Sequence, residues 1–176
     1  KLSEDGTVLL GIGGQELGQG SFTIAAQIAA AALGVPIDWV RLSKPIDTDY
    51  SPYEWQTVAS RITWSMGNAI IAASDDTRSQ IFKIVSEAWG EDVEDLDIID
   101  GIVISKHSKR EISLKDFAVY GIAKPNNEGW IGGPIFGRGK FMPTYVTGLD
   151  KETGQGKRAV VHYTTGAQAF EVEIDL

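Results

Sequence analysis

Eight residues, Gly13-Gly-Gln-Glu-Leu-Gly-Gln-Gly20, stand between a short apolar run, Thr7 to Ile12, and an alanine-rich helical pattern that opens near Ser21. Glycines let the backbone come close to a ligand, and the first turn of a helix carries amides with no partner of their own. A strand, a glycine-rich bend and a helix N-terminus therefore predict a site for phosphate or pyrophosphate. Two nucleotide templates fail on this stretch. The phosphate-binding loop needs Gly, four residues and then Gly-Lys-Ser/Thr. Gly13 and Gly18 fit it, but Gln19 stands where the Lys belongs and Gly20 where Ser or Thr belongs. The dinucleotide fingerprint starts at Gly11-Ile12-Gly13 and then breaks, because Glu16 replaces its third glycine. An uncharged Gln19 between Gly18 and Gly20 suits a planar ligand rich in donors and acceptors, such as a pterin or a metal oxo group. The spacing fits equally a tight strand-to-helix turn with an exposed Gln.

A second segment, Ser51 to Arg61, carries Pro52 and then Thr57, Val58, Ala59, Ser60 and Arg61 at the start of a long helical pattern. Hydroxyls, small side chains and helix-terminal amides make another anion cradle. The alternative is a capped helix, with Thr57 or Ser60 as N-cap and Arg61 on a solvated face.

The elements that must position these segments follow from periodicity. Thr7 to Ile12 reads as a short buried strand. Phe22, Ile24, Ala25, Ile28, Ala29, Ala32 and Leu33 keep helical spacing, and Gly34 and Pro36 stop it. Ile37 to Leu42 reads as a second strand, and strand–helix–strand predicts a parallel pair. Apolar positions from Ile62 to Ala88 predict a spine helix, about 48 Å long if continuous from Val58 to Trp89 at ~1.5 Å per residue. Gly67 inside it marks close packing or a ligand approach, and Gly90 ends it. Asp100-Gly101 between Leu96–Ile99 and Ile102–Ser105 is a hairpin signal. Ile112 to Val119 reads as a short helix with Ser113 as cap. Lys124 to Gly139 reads as a loop, and Thr144 to Leu149, Arg158 to Tyr163 and Ala167 to Ile174 as strands. The expected fold is α+β (mixed α/β), one domain over residues 1–176 with no internal boundary, a long central helix packed on a mixed β-sheet. The opening Lys1 and the terminal strand read as an excised or processed segment.

Composition bounds the chemistry. The hydrophobic fraction of 43% with 23% charged residues is that of a globular protein. The longest near-apolar stretch, Phe22 to Leu33, is too short to cross a bilayer. No cysteine is present, so thiolate metal sites and disulfides are excluded within this chain. His107 and His162, far apart in sequence, argue against a histidine metal site. Sixteen basic residues against 24 acidic ones give a net charge of -8, which opposes a nucleic-acid backbone.

The two segments together resemble the molybdenum hydroxylases, the xanthine dehydrogenase and aldehyde oxidase family. The resemblance lies in the Gly-Gly-Gln-Glu-Leu-Gly-Gln-Gly stretch, Asp47-Thr48, Thr57-Val-Ala-Ser-Arg61, Gly67-Asn-Ala69 and the final Gly166 to Asp175. It is strongest over residues 5–73 and points to the second molybdopterin-binding portion of the large subunit. It implies that Gln19 reaches the oxo or dithiolene end of molybdenum–molybdopterin, in bacteria often a cytosine dinucleotide, while Gly18 and Gly20 allow close approach. It implies equally that Thr57, Val58, Ala59, Ser60 and Arg61 grip the pterin or phosphate. Molybdenum would be held by pterin sulfurs, with no protein ligand here. Partners would be the other molybdenum-binding portion and iron–sulfur and FAD subunits or domains, with no nucleic acid and no membrane, in the cytoplasm.

One departure stands against the matches. The family's general base is a Glu in a Gly-Glu-Pro-like segment, and no such tripeptide occurs in this chain. Hydroxylation needs that carboxylate, so the chain is expected to be catalytically incomplete alone, with Glu16 and Glu54 non-catalytic. Trp39, Trp64, Trp89 and Trp130 read as core or interface, and Trp55 as a residue near the ligand. His107 reads as part of a solvated turn, and His162 as a structural residue in a strand. Two other classes compete with the cofactor reading: a stand-alone nucleotide or phosphate-ligand module, and a non-catalytic scaffold.

Overall fold

The computed structural model describes residues 1–125 and 128–175. The chain forms two compact units, Lys1–Phe141 and Met142–Leu176. The first holds the helices and strands, and its class is the mixed α+β expected.

Strand β1 (Val8–Leu10) pairs in parallel with β2 (Val40–Leu42), Val8 opposite Val40. The crossover between them contains helix α1 (Ser21–Leu33), which buries Ala25, Ala26, Ala29, Ala30 and Leu33. Four of those five side chains are alanines, so a neighbouring helix can come close. That neighbour is α2 (Ile62–Trp89), whose Met66, Gly67, Ile70 and Ser74 are buried. A Cβ at Gly67 would lie 3.0 Å from Ile28 Cδ1, so this glycine serves helix packing. Gly34 ends α1 at φ 77, a conformation few other residues adopt, and its N–H donates to the Ala30 carbonyl at 2.9 Å. The site has no room for a Cβ either, which would overlap the Ile98 carbonyl.

At 28 residues α2 is about 42 Å long. It begins at Ile62 rather than Val58 because Ala59 (φ 50) and Ser60 (φ 54) are left-handed and interrupt the helical run. Arg78, near its middle, donates to Asp97 at 2.7 Å and to the Leu33 carbonyl at 3.2 Å, joining α2 to the end of α1 and to the chain at Asp97. That guanidinium is the main cause holding the Asp97 carboxyl below its ordinary range.

Strands β3 (Leu96–Ile99) and β4 (Ile102–Ser105) form the expected hairpin, with Asp100 (φ 49) and Gly101 (φ 76) at its turn. β5 (Glu111–Ser113) adds antiparallel to β4. The short helix α3 (Leu114–Tyr120) therefore starts two residues later than Ile112. Its N-cap, Ser113, is extended and accepts the Asp116 amide at 3.0 Å. β6 (Ile122–Ala123) and β7 (Trp130–Ile131) make a third small sheet. Trp130, expected in the core or an interface, is 66% exposed.

The second unit corrects three strand expectations. Among the described residues none of Thr144–Leu149, Arg158–Tyr163 and Ala167–Ile174 forms a strand. The first two approach each other, with Thr147 N–H donating to the Arg158 carbonyl at 2.8 Å and the Tyr145 hydroxyl to Val161 at 2.6 Å. These contacts do not extend into a ladder. Phe170, Val172 and Ile174 alternate as a strand face should, yet all three are exposed. Alternation supplies a face, and a strand also needs a neighbour to receive its backbone hydrogen bonds.

Candidate functional site

The glycine-rich stretch runs from the end of β1 to the first turn of α1, and half of it is packed against the second segment. A Cβ at Gly13 would overlap the Pro52 carbonyl oxygen and lie 3.0 Å from the Glu54 nitrogen. At Gly14 it would meet Met66 Sδ at 3.0 Å and Ile62 Cδ1 at 3.1 Å, in the first turns of α2. Gln15 N–H then donates to Thr57 Oγ1 at 3.0 Å. Two segments 42 residues apart in sequence thus lie side by side, and the glycines are what let them do so.

The other half of the stretch turns inward for its hydrogen bonds. One Glu16 carboxylate oxygen accepts the amides of Gly18 (2.8 Å) and Gly20 (2.9 Å), and the other accepts Phe22 (3.1 Å). The amide of Gly20 is the largest cause holding this carboxyl below its ordinary range, followed by that of Phe22. The anion that the start of α1 attracts is thus supplied by Glu16 itself, and the open cradle expected there is filled. Gln19 is similarly engaged. Its Oε1 accepts Leu17 N–H at 2.6 Å, and its Nε2 donates to the Gln15 carbonyl (2.9 Å) and to Ser21 Oγ (2.6 Å). What the loop leaves free is backbone surface: a Cβ added at Gly18 (φ 103) or Gly20 (φ 82) would meet nothing within 4 Å.

The segment before α2 differs. Neither Thr57 nor Ser60 is its N-cap. Arg61 holds that position without any side-chain cap. The Thr57 hydroxyl is turned to the glycine loop, while Val58, Ala59 and Ser60 are exposed. Consecutive left-handed conformations at Ala59 and Ser60 cost about 1–2 kcal/mol each in an L-residue. Arg61 is not on a solvated face. It forms an ion pair with Glu54, donates to the Gln56 carbonyl at 2.8 Å and lies 5.5 Å from the centroid of Trp55. The two ion-paired side chains are 17% and 14% exposed, whereas Trp55 is 63% exposed.

Residue reasoning missed the parts played by Glu16 and Glu54. For Glu16 a signal existed: a helix whose N-cap is Gly20 has no side chain of its own for capping, and a carboxylate stood four residues upstream. For Glu54 the only signal was an opposite charge seven residues away. Of the remaining singled-out residues, His107 lies exposed in the β4–β5 turn, its amide donating to Ser105 Oγ at 3.2 Å. His162 lies half-buried outside any strand. Trp64 meets Phe141 edge-on at 4.9 Å. Among the described residues no group of three His, Cys, Asp or Glu side chains could hold a metal ion. No helix of those residues is long and apolar enough to cross a membrane.

Residues 1–176 match a family described as MoCoBD_2, molybdopterin cofactor-binding domain. The xanthine dehydrogenase of Drosophila pseudoobscura pseudoobscura is 30% identical over 176 residues, covering 97% of this chain and 10% of that relative. The xanthine dehydrogenase molybdenum-binding subunit of Escherichia coli O157:H7 is 28% identical over 130 residues, 73% of this chain and 17% of that subunit. Among solved structures, reconstituted CO dehydrogenase from Oligotropha carboxidovorans superimposes with a TM-score of 0.68 at 25% identity, over 81% of this chain and 18% of that one. The chain therefore spans less than a fifth of each.

Proposed function

The chain belongs to the molybdopterin cofactor-binding domain family, and from that premise we propose that residues 18–20 and 57–61 are its cofactor-contacting surface. The supporting observation is the Gln15–Thr57 hydrogen bond, which seats the two segments against each other at the starts of α1 and α2. The residues fit such a group, because Gly18 and Gly20 turn bare backbone toward open space and Val58, Ala59 and Ser60 are exposed beside an uncapped helix start. Gly18, Gln19 and Gly20 contribute a close-approach surface, with Gln19 also bracing the loop. Thr57, Val58, Ala59, Ser60 and Arg61 contribute small side chains, a hydroxyl and helix-start amides suited to a polar or anionic end. Arg61 acts mainly through Glu54, which fixes where the segment lies.

When bound, the molybdenum–molybdopterin group supplies the two-electron redox centre. This chain's own residues bind and orient it. The activity is that of a molybdenum hydroxylase of the xanthine dehydrogenase and aldehyde oxidase kind, located in the cytoplasm. The catalytic Glu and the other cofactor-binding portion come from sequence beyond these residues, and iron–sulfur and FAD subunits or domains serve as electron partners. A cytosine dinucleotide form of the cofactor is compatible with the same surface. Elemental analysis and intact mass of the native assembly test this reading. Molybdenum is expected in a complex larger than this chain, and a native product of this size without molybdenum would refute it.

A further inference from the structure

The start of α1 has an unusual division of labour. A helix N-cap is ordinarily a Ser, Thr, Asp or Asn whose own side chain receives the first-turn amides. Here the N-cap is Gly20, and capping is done from a distance by Glu16, which also takes the amide of Gly18. Moving the cap four residues upstream leaves Gly20 without a side chain, and so leaves the outer side of the loop bare. The same carboxylate fastens the two left-handed glycines at φ 103 and 82. Without it, those glycines would be the most freely rotating residues of the loop. Gln19 closes the other half of the knot by linking Leu17, Gln15 and the buried Ser21. Negative charge beside the helix start also makes that point unfavourable for a phosphate, so the loop is left to a neutral part of a ligand.

We propose that Glu16 is a positioning residue for cofactor loading: by capping α1 from outside the contact surface, it holds the Gly18–Gly20 backbone preformed and bare for the incoming cofactor. This rests on the assignment of residues 18–20 to the cofactor surface. Other groups that orient a metal centre from behind its direct contacts typically cost about 10–100-fold in affinity or activity when removed.

The test uses the full-length protein with Glu16→Ala, Glu16→Gln and Gly20→Val, read by molybdenum and pterin content per folded molecule and by hydrogen exchange at individual amides. Glu16→Ala is expected to unprotect Gly18, Gly20 and Phe22 while α2 stays protected, with cofactor content down about tenfold. Glu16→Gln, which keeps the reach and one acceptor oxygen, is expected to regain most of that content, a rescue that simple loss of stability would not give. Should Glu16→Ala not fold, Glu16→Asp, which keeps the charge without the reach, takes its place with the same expected loss. Undiminished cofactor in the Glu16 variant alongside loss in Gly20→Val overturns the proposal and leaves the surface assignment standing. Undiminished cofactor in both overturns the assignment as well.

Discussion

The loop before α1 and the segment before α2 both sit where a helix begins, yet they treat its unpaired amides in opposite ways. The first is closed on itself: Glu16 receives the amides of Gly18, Gly20 and Phe22, and Gln19 spends both ends of its side-chain amide inside the loop. The second has no side-chain cap, carries strain at Ala59 and Ser60, and is held by the Arg61–Glu54 pair within it and by the Gln15–Thr57 hydrogen bond from the glycine loop. A loop closed on its own carboxylate offers shape, and a helix start without a side-chain cap is the place to look for hydrogen bonds to a ligand. The difference teaches that a glycine-rich stretch ahead of a helix is not by itself an anion site. Whether a carboxylate already fills the cradle decides it.

The largest effect is expected where the two regions touch. Gly13→Val would drive a side chain into the Pro52 carbonyl and Glu54, forcing the segments apart. Overpacking of this kind costs about 3 kcal/mol, so denaturant unfolding should show a clearly lowered midpoint, and cofactor content should fall with it. A variant with an unchanged midpoint would mean that the segments do not need their close approach. Next comes Arg61→Ala, which strips a largely buried Glu54 of its cation. Loss of a hydrogen bond to a charged group costs about 2 kcal/mol, and the double variant with Glu54→Gln should recover part of it in a mutant cycle.

The strained residues sharpen the contrast by sign. Ala59→Gly relieves a left-handed conformation and should raise stability by about 0.5 kcal/mol after the unfolded-state entropy of glycine is subtracted. Gly18→Ala imposes that conformation and should lower stability by about 1 kcal/mol. Thermal unfolding of both variants should therefore move in opposite directions, and shifts of one sign would erase the distinction drawn between the two starts.

Acid gives the smallest effect. The folded-state pKa of Glu16 lies below the ordinary 4.5 and that of Asp97 below 3.8. A depressed carboxyl contributes stability that is complete above its ordinary value and is lost as pH falls through the lower folded value. Melting temperature should hold level from neutrality down to about pH 5 and decline below pH 4. Glu16→Gln should decline less steeply over that acid limb, and a slope identical to wild type would remove Glu16 from the titrating set.

Much of the scaffold was legible in the residues. Period and punctuation predicted β1, the stop of α1 at Gly34, the parallel pair, the Asp100-Gly101 hairpin and the Ser113 cap, because each depends on local chemistry that a residue type announces. The start of α2 was not legible. Ala59 and Ser60 carry no sign of left-handed geometry, and tertiary packing overrides what their types prefer. Glu16 was legible only as a charge near a loop, since its role depends on a fold-back that spacing does not specify. The strands expected beyond Thr144 failed for another reason. Alternation records which side chains face together and is silent about which backbone receives the hydrogen bonds.

The most direct measurement is molybdenum and pterin content of the full-length protein carrying Ser60→Trp, a bulky group placed on the exposed start of α2. Cofactor lost with the melting temperature kept would locate the contact surface at residues 57–61 beside the glycine loop. Full cofactor content with that side chain in place would contradict it.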